Sequence, residues 1–137
     1  MTRVYLAGPS AEMNAMKDRA REIEALGMTI TEPWWERIAE AADNGWLHDA
    51  EVPADFMRES ARRNQRGIVT ADVVVVCAKS SGGFSSGAAG EIGYALARRK
   101  RVVLVGNTRG FVWSWLIDSR DVVASWDDAL ALLRALV

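Results

Sequence analysis

The chain has one cysteine, one histidine and three prolines in 137 residues, and each scarcity removes a class of explanation. A lone thiol, Cys77, cannot close an internal disulfide, so a reducing compartment is expected. Cys77 ends the run Val73-Val74-Val75-Val76-Cys77 and reads as a packed strand residue rather than a nucleophile. The single histidine, His48, sits in a polar loop. No triad, metal cluster or HExxH helix can be assembled around it, so metal catalysis is not expected. No apolar run approaches the roughly 20 residues needed to span a bilayer. Residues 1–7 lack the basic start and long apolar stretch of a secretory leader. A soluble, cytoplasmic protein is the expectation. The formal net charge of -1 offers no basic face for polymeric nucleic acid. Two phosphate-loop signatures are also missing. No Gly-Lys-Ser/Thr follows the glycine-rich loop, and Gly8-Pro9-Ser10 is not a GxGxxG fingerprint. A nicotinamide cofactor is therefore disfavoured, and no cofactor is expected.

What is present is ordinary for one globular domain spanning residues 1–137. Half of the residues are hydrophobic and 26% are charged, and this length buries a core without cross-links. Six tryptophans are many for the size. Some belong to the core, and others suit a pocket wall or an oligomer interface.

Strand-like and helix-like patterns alternate along the chain. Val4-Tyr5-Leu6-Ala7 is a short apolar run stopped by Gly8-Pro9, a strand and a turn. Residues 11–26 have helical spacing, with Met13, Met16, Ala20 and Ile23 on one face and Gly27 in the C-terminal glycine position. Residues 28–31 form a second strand. Trp34, Trp35, Ile38 and Ala42 suit a short helix ended by Asn44-Gly45, and residues 47–53 read as a loop. A helix over 54–68 precedes the strand 73–77, whose apolar character on both faces suits the centre of a parallel sheet. Residues 80–90 read as a loop entering a helix that ends near Arg98. Strands follow at 102–105 and 122–123, with a helical stretch within 107–120. Ser125 and Asp128 cap a last helix that turns Leu130, Leu133 and Leu136 inward. The basic run Arg98 to Arg101 reads as a solvated helix cap. This order predicts an α/β domain, Rossmann-like or flavodoxin-like, with about five parallel strands and helices on both faces. Its sites belong at the carboxyl ends of the strands.

Glu91 is the first candidate for chemistry. It shares the sheet-facing stripe of its helix with Ala88, Ile92 and Ala95, near the helix start. A carboxylate on that side is costly without partners. Free N–H groups and the macrodipole at a helix start favour its ionised form, which suits a nucleophile. It equally suits a glutamate that merely satisfies its own helix terminus. Gly87, Gly90 and Gly93 recur at a spacing that allows close approach of a strand, helix or ligand. Asn64 lies on one face with Met57, Ala61 and Ile68, where an amide needs a partner. That partner is a neighbouring backbone or a ligand. Tyr5 is a strand residue whose hydroxyl needs an acceptor. Trp34 and Trp35 are placed either to stack on a base or to pack.

The segments Val4-Tyr5-Leu6-Ala7-Gly8-Pro9, Thr70-Ala71-Asp72-Val73-Val74-Val75 and Gly87-Ala88-Ala89-Gly90-Glu91-Ile92-Gly93-Tyr94-Ala95 occur in that order. Together they resemble the nucleoside 2-deoxyribosyltransferase family, which includes the 2'-deoxynucleoside 5'-monophosphate N-glycosidases. The resemblance covers nearly the whole chain. It implies cleavage or transfer at the N-glycosidic bond of a nucleoside or its 5'-monophosphate. In that reading Glu91 is the catalytic nucleophile and forms a glycosyl ester resolved with net retention. Tyr5 orients Glu91, Gly8, Pro9 and Ser10 form the loop on the sugar or phosphate side, and Trp34 and Gly87 contact substrate. Ser114, within Val112-Trp113-Ser114-Trp115-Leu116-Ile117, resembles a phosphate-binding serine contributed by a neighbouring subunit, so a homodimer or higher homo-oligomer is implied. One position departs. Where the family has an aspartate serving the leaving base, this chain has Asn64, which keeps hydrogen bonding and loses general-acid capacity. Asp72 opens its strand at the wrong end of the sheet, and Asp49, Glu51 or Asp55 would have to reach from loops. The departure leaves a second reading open: a non-catalytic nucleotide-binding sensor or accessory protein on the same fold.

Overall fold

A computed structural model describes residues 1–137. Five strands form one parallel sheet: β1 (Arg3–Ala7), β2 (Thr29–Ile30), β3 (Val73–Cys77), β4 (Arg101–Val105) and β5 (Val122–Val123), in the order β2-β1-β3-β4-β5. This is the flavodoxin-like order of a doubly wound sheet. Every residue of β3 is buried, as a strand covered on both faces by helices must be. Its neighbours pair in simple register, Tyr5 opposite Val74 and Val75 opposite Val103. The edge strands β2 and β5 are two residues each, which limits the unpaired backbone at the sheet edges.

Five helices cover the sheet: α1 (Met13–Ala25), α2 (Trp34–Asp43), α3 (Ala54–Thr70), α4 (Ser86–Ala97) and α5 (Trp126–Arg134). Helix α1 packs on α5, while α3 packs on both α2 and α4, so the crossovers load both faces. The anticipated stripe of α1 is realised by buried Met16, Ala20 and Ile23. None of the helices is long and apolar enough to cross a membrane.

Local details differ from the sequence expectation. The first helix begins as a 3-10 turn over Ser10–Glu12, because Pro9 keeps the chain extended at its cap. Residues 107–120 do not form an α-helix. They make two 3-10 turns, Val112–Leu116 and Ser119–Asp121, and the loop at 47–53 contains another, Asp49–Glu51. The basic run after α4 is not simply a solvated cap. Lys100 donates to the carbonyls of Val69 (2.7 Å) and Ala71 (3.0 Å), tying α3 to the start of β4. Arg101 forms a two-pronged pair with the buried Asp121.

Candidate active site

The two residues that meet at the centre come from neighbouring elements. Tyr5 is fully buried on β1. Glu91 lies on α4, and the Tyr5 hydroxyl donates directly to Glu91 Oε2. Helix α3 also stands close to the Tyr5 ring. A Cβ built on Gly67 would lie 2.8 Å from the Tyr5 ring and 2.8 Å from Glu32 Cβ, so only glycine permits that approach.

Helix α4 starts earlier than its sequence suggests. Ser85 is the N-cap, its Oγ accepting the Ala88 N–H at 3.2 Å, and the helix runs from Ser86. Glu91 is therefore in the second turn, beyond the strongest reach of the free N–H groups. Burial pushes its carboxyl above the usual glutamate range, and the Tyr5 hydrogen bond pulls it part of the way back. Desolvation thus works against the ionised form that the helix start was expected to favour. Burial first, and then the Glu91 charge, keep the Tyr5 phenol protonated far above its ordinary range. The pair is a protonated phenol donating to the Glu91 carboxyl.

Glu91 opens into a cavity of about 540 Å³, within the size range of small-molecule sites. Tyr5, Gly8, Ser10, Trp34, Asn64, Gly87 and Glu91 all line it. Residues from β1, α2, α3 and α4 thus converge at the carboxyl end of the sheet. Gly87 leaves space above Glu91, where an added Cβ would sit 4.0 Å from the carboxylate. Gly90 and Gly93 play no such part, since a Cβ on either meets nothing within 4 Å. Pro9 is buried beside the cavity and does not line it. Trp34 is pinned rather than free to swing, its indole N–H donating to the Leu6 carbonyl at 2.7 Å and its ring meeting Trp35 edge-on. Ser114 lies outside the cavity, on the 3-10 turn after β4, where its hydroxyl donates to the Phe111 carbonyl at 2.7 Å. Around it Val112, Trp113, Trp115 and Leu116 are exposed.

The far wall was not anticipated. Arg37 of α2 lies over the Phe56 ring, 3.6 Å from its centroid, and donates to Ser60 Oγ and the Phe56 carbonyl. Trp46 meets Phe56 edge-on. The available signal was a cation, Arg37, in the same helical stripe as Trp34, Ile38 and Ala41. The loop after α2 adds Leu47, His48 and Asp49 to the lining, whereas Glu51 and Asp55 do not reach it. Asp72 is far from this chemistry. It accepts the Arg3 backbone N–H at 2.8 Å and pairs with its guanidinium.

Comparison with known proteins concerns the family and the fold. The chain matches the nucleoside 2-deoxyribosyltransferase family over residues 4–123. A 2-deoxyribosyltransferase from the psychrotolerant bacterium Bacillus psychrosaccharolyticus superposes with a TM-score of 0.64 at 17% identity, covering 96% of each chain. The CMP N-glycosidase of Clostridium botulinum superposes with a TM-score of 0.62 at 16% identity, covering 99% of this chain and 100% of that one. These likenesses are of fold. No curated protein sequence matches the chain.

Proposed function

Because the chain belongs to the nucleoside 2-deoxyribosyltransferase family, we propose that it cleaves or transfers at the N-glycosidic bond of a nucleoside or its 5'-monophosphate, with Glu91 as nucleophile. The observation that carries this reading is the half-buried Glu91 carboxyl, bonded to Tyr5 and open to the cavity. In the ionised form Glu91 attacks the anomeric carbon. The C–N bond breaks, its electron pair goes to the base nitrogen, and a sugar ester of Glu91 remains. Water or a second base then attacks the same carbon and releases the carboxylate, with retention over the two steps. Tyr5 holds the attacking carboxylate in place and lowers the cost of its charge. Gly8 and Ser10, with Pro9 behind them, form the wall for the sugar or its phosphate, and Trp34 and Gly87 shape the space above Glu91. Ser114 would serve a phosphate only from a second copy of the chain, so that role requires a homo-oligomer.

Asn64 offers its amide to the base and cannot supply a proton. The groups on the cavity wall that can carry one are His48 and Asp49. The test is incubation with a panel of nucleosides and 5'-monophosphates, measuring free base, together with intact-mass detection of a sugar adduct abolished in Glu91→Gln. Base release independent of Glu91 would overturn the mechanism. Asn64 also motivates the non-catalytic reading, a nucleotide sensor on the same cavity. Asn64→Asp decides between the two. Turnover raised about 10–100-fold, within the usual reach of acid catalysis, marks an attenuated enzyme. Ligand-induced thermal stabilisation without base release in either form marks a sensor.

A further inference from the structure

We propose that the chain carries a second binding site, for a phosphoryl-type oxyanion, in a polar cavity at the carboxyl ends of β3, β4 and β5. This cavity, about 370 Å³, shares no lining residue with the Glu91 cavity. It lies between the loop after β3, the turn after β4 and the start of α5, and Arg19 enters it from α1. Both cavities border the segment that joins β3 to α4, this one through Lys79 to Gly82 and the other through Ser85 and the first residues of α4.

The argument rests on how Arg19 is held. It is half-buried, with its guanidinium 5.2 Å from the Trp126 ring centroid and one N–H directed at Met16 Sδ at 3.8 Å. Its charge also acts on the buried Cys77 thiol. A guanidinium carries five N–H donors, and a ring face and sulfur atoms are poor acceptors for them. Lys79 stands on the facing loop. Neither cation takes part in any of the eight ion pairs of the chain. The remaining wall is rich in hydroxyls and amide groups, from Ser80, Ser125 and Asn107.

Three carboxylates stand near the site. Glu12 accepts the Ser80 backbone N–H at 3.1 Å, and Asp127 and Asp128 occupy the first turn of α5. None pairs with Arg19 or Lys79. A planar fork and a point charge facing one polar cavity match an anion with several terminal oxygens. A phosphoryl group supplies three, enough to engage Arg19, Lys79 and a hydroxyl together.

The test uses inorganic phosphate as the probe, titrated against sodium chloride at matched ionic strength. The readouts are the Trp126 indole N–H and Arg19 Nε–H cross-peaks in 15N-labelled protein, the former assigned through Trp126→Phe. Saturable phosphate shifts at both positions, absent with chloride, are expected. Lys79→Met, an exposed change that leaves the core intact, and Arg19→Met should each weaken binding about tenfold or more, the usual loss for one charge-assisted contact. Glu12→Gln should tighten it. Shifts that track ionic strength alone, or phosphate affinity unchanged in both Lys79→Met and Arg19→Met, would overturn the site.

Discussion

Two carboxylates hydrogen-bond to residues of β1, and the chain treats them in opposite ways. At the amino end, Asp72 is exposed and bonds both the guanidinium and the backbone of Arg3, which hold its carboxyl below the usual range. Two residues along the strand, Tyr5 meets Glu91, which is half-buried, lacks a cationic partner and is pushed upward by desolvation. The first arrangement is a solvated pair that closes the bottom of the sheet. Such pairs contribute little. The second keeps a carboxylate at a cost, bonded only to a neutral phenol and open to a cavity. A carboxylate neutralised by arginine is a poor nucleophile. One kept desolvated, oriented and uncompensated is reactive once ionised.

The sharpest way to break this contrast is at Glu91. Glu91→Gln should lower turnover by about 10³-fold or more, measured as free base per enzyme, while Asp72→Asn leaves turnover unchanged. Next is Tyr5→Phe. Losing one charge-assisted hydrogen bond should cost about 10–100-fold in turnover. It should also move the acidic limb of the pH–rate profile upward, because the bond lowers the Glu91 pKa. A limb that stays in place would mean that Tyr5 only packs.

A smaller effect concerns stability. Folding raises the Glu91 pKa, so the cost of burying its charge is absent below the unfolded value of about 4.3 and complete above the raised folded value. Glu91→Gln should therefore melt higher than the parent at pH 8, with the gain vanishing toward pH 4. Thermal denaturation across that range checks both sign and window. The smallest effect belongs to Asp72→Asn. Its stabilising contribution is present above the unfolded pKa and fades as pH falls through the lowered folded value. Because the pair is exposed, the change in melting temperature should be barely measurable at neutral pH and smaller still in high salt.

Much of this frame was legible in the residues. The continuous valine run marked the central strand, and the stripe Ala88, Ile92, Ala95 put Glu91 on the sheet-facing side of its helix. Tyr5 was placed on the adjacent strand by its apolar neighbours. Other features were not legible, because they depend on contacts between distant segments. The start of α4 at Ser86 follows from a cap bond at Ser85. The helical composition of residues 111–117 gave no warning of a 3-10 turn. Lys100 and Arg101 looked like a solvated cap until α3 and Asp121 were brought to them. The wall of Arg37, Trp46 and Phe56 has no motif, because it joins one helix, a loop and the next helix through stacking and carbonyl bonds.

By itself the sequence determined the alternation of strands and helices, the parallel sheet and the identity of the residues at its carboxyl end, because periodicity and burial are local properties of the chain. Only the tertiary structure decided the electrostatic state of Glu91. The dipole of its own helix argued for easy ionisation, and the packing of α3, α4 and β1 around it argued the other way. Desolvation depends on everything that surrounds the group, and no stretch of sequence contains that sum.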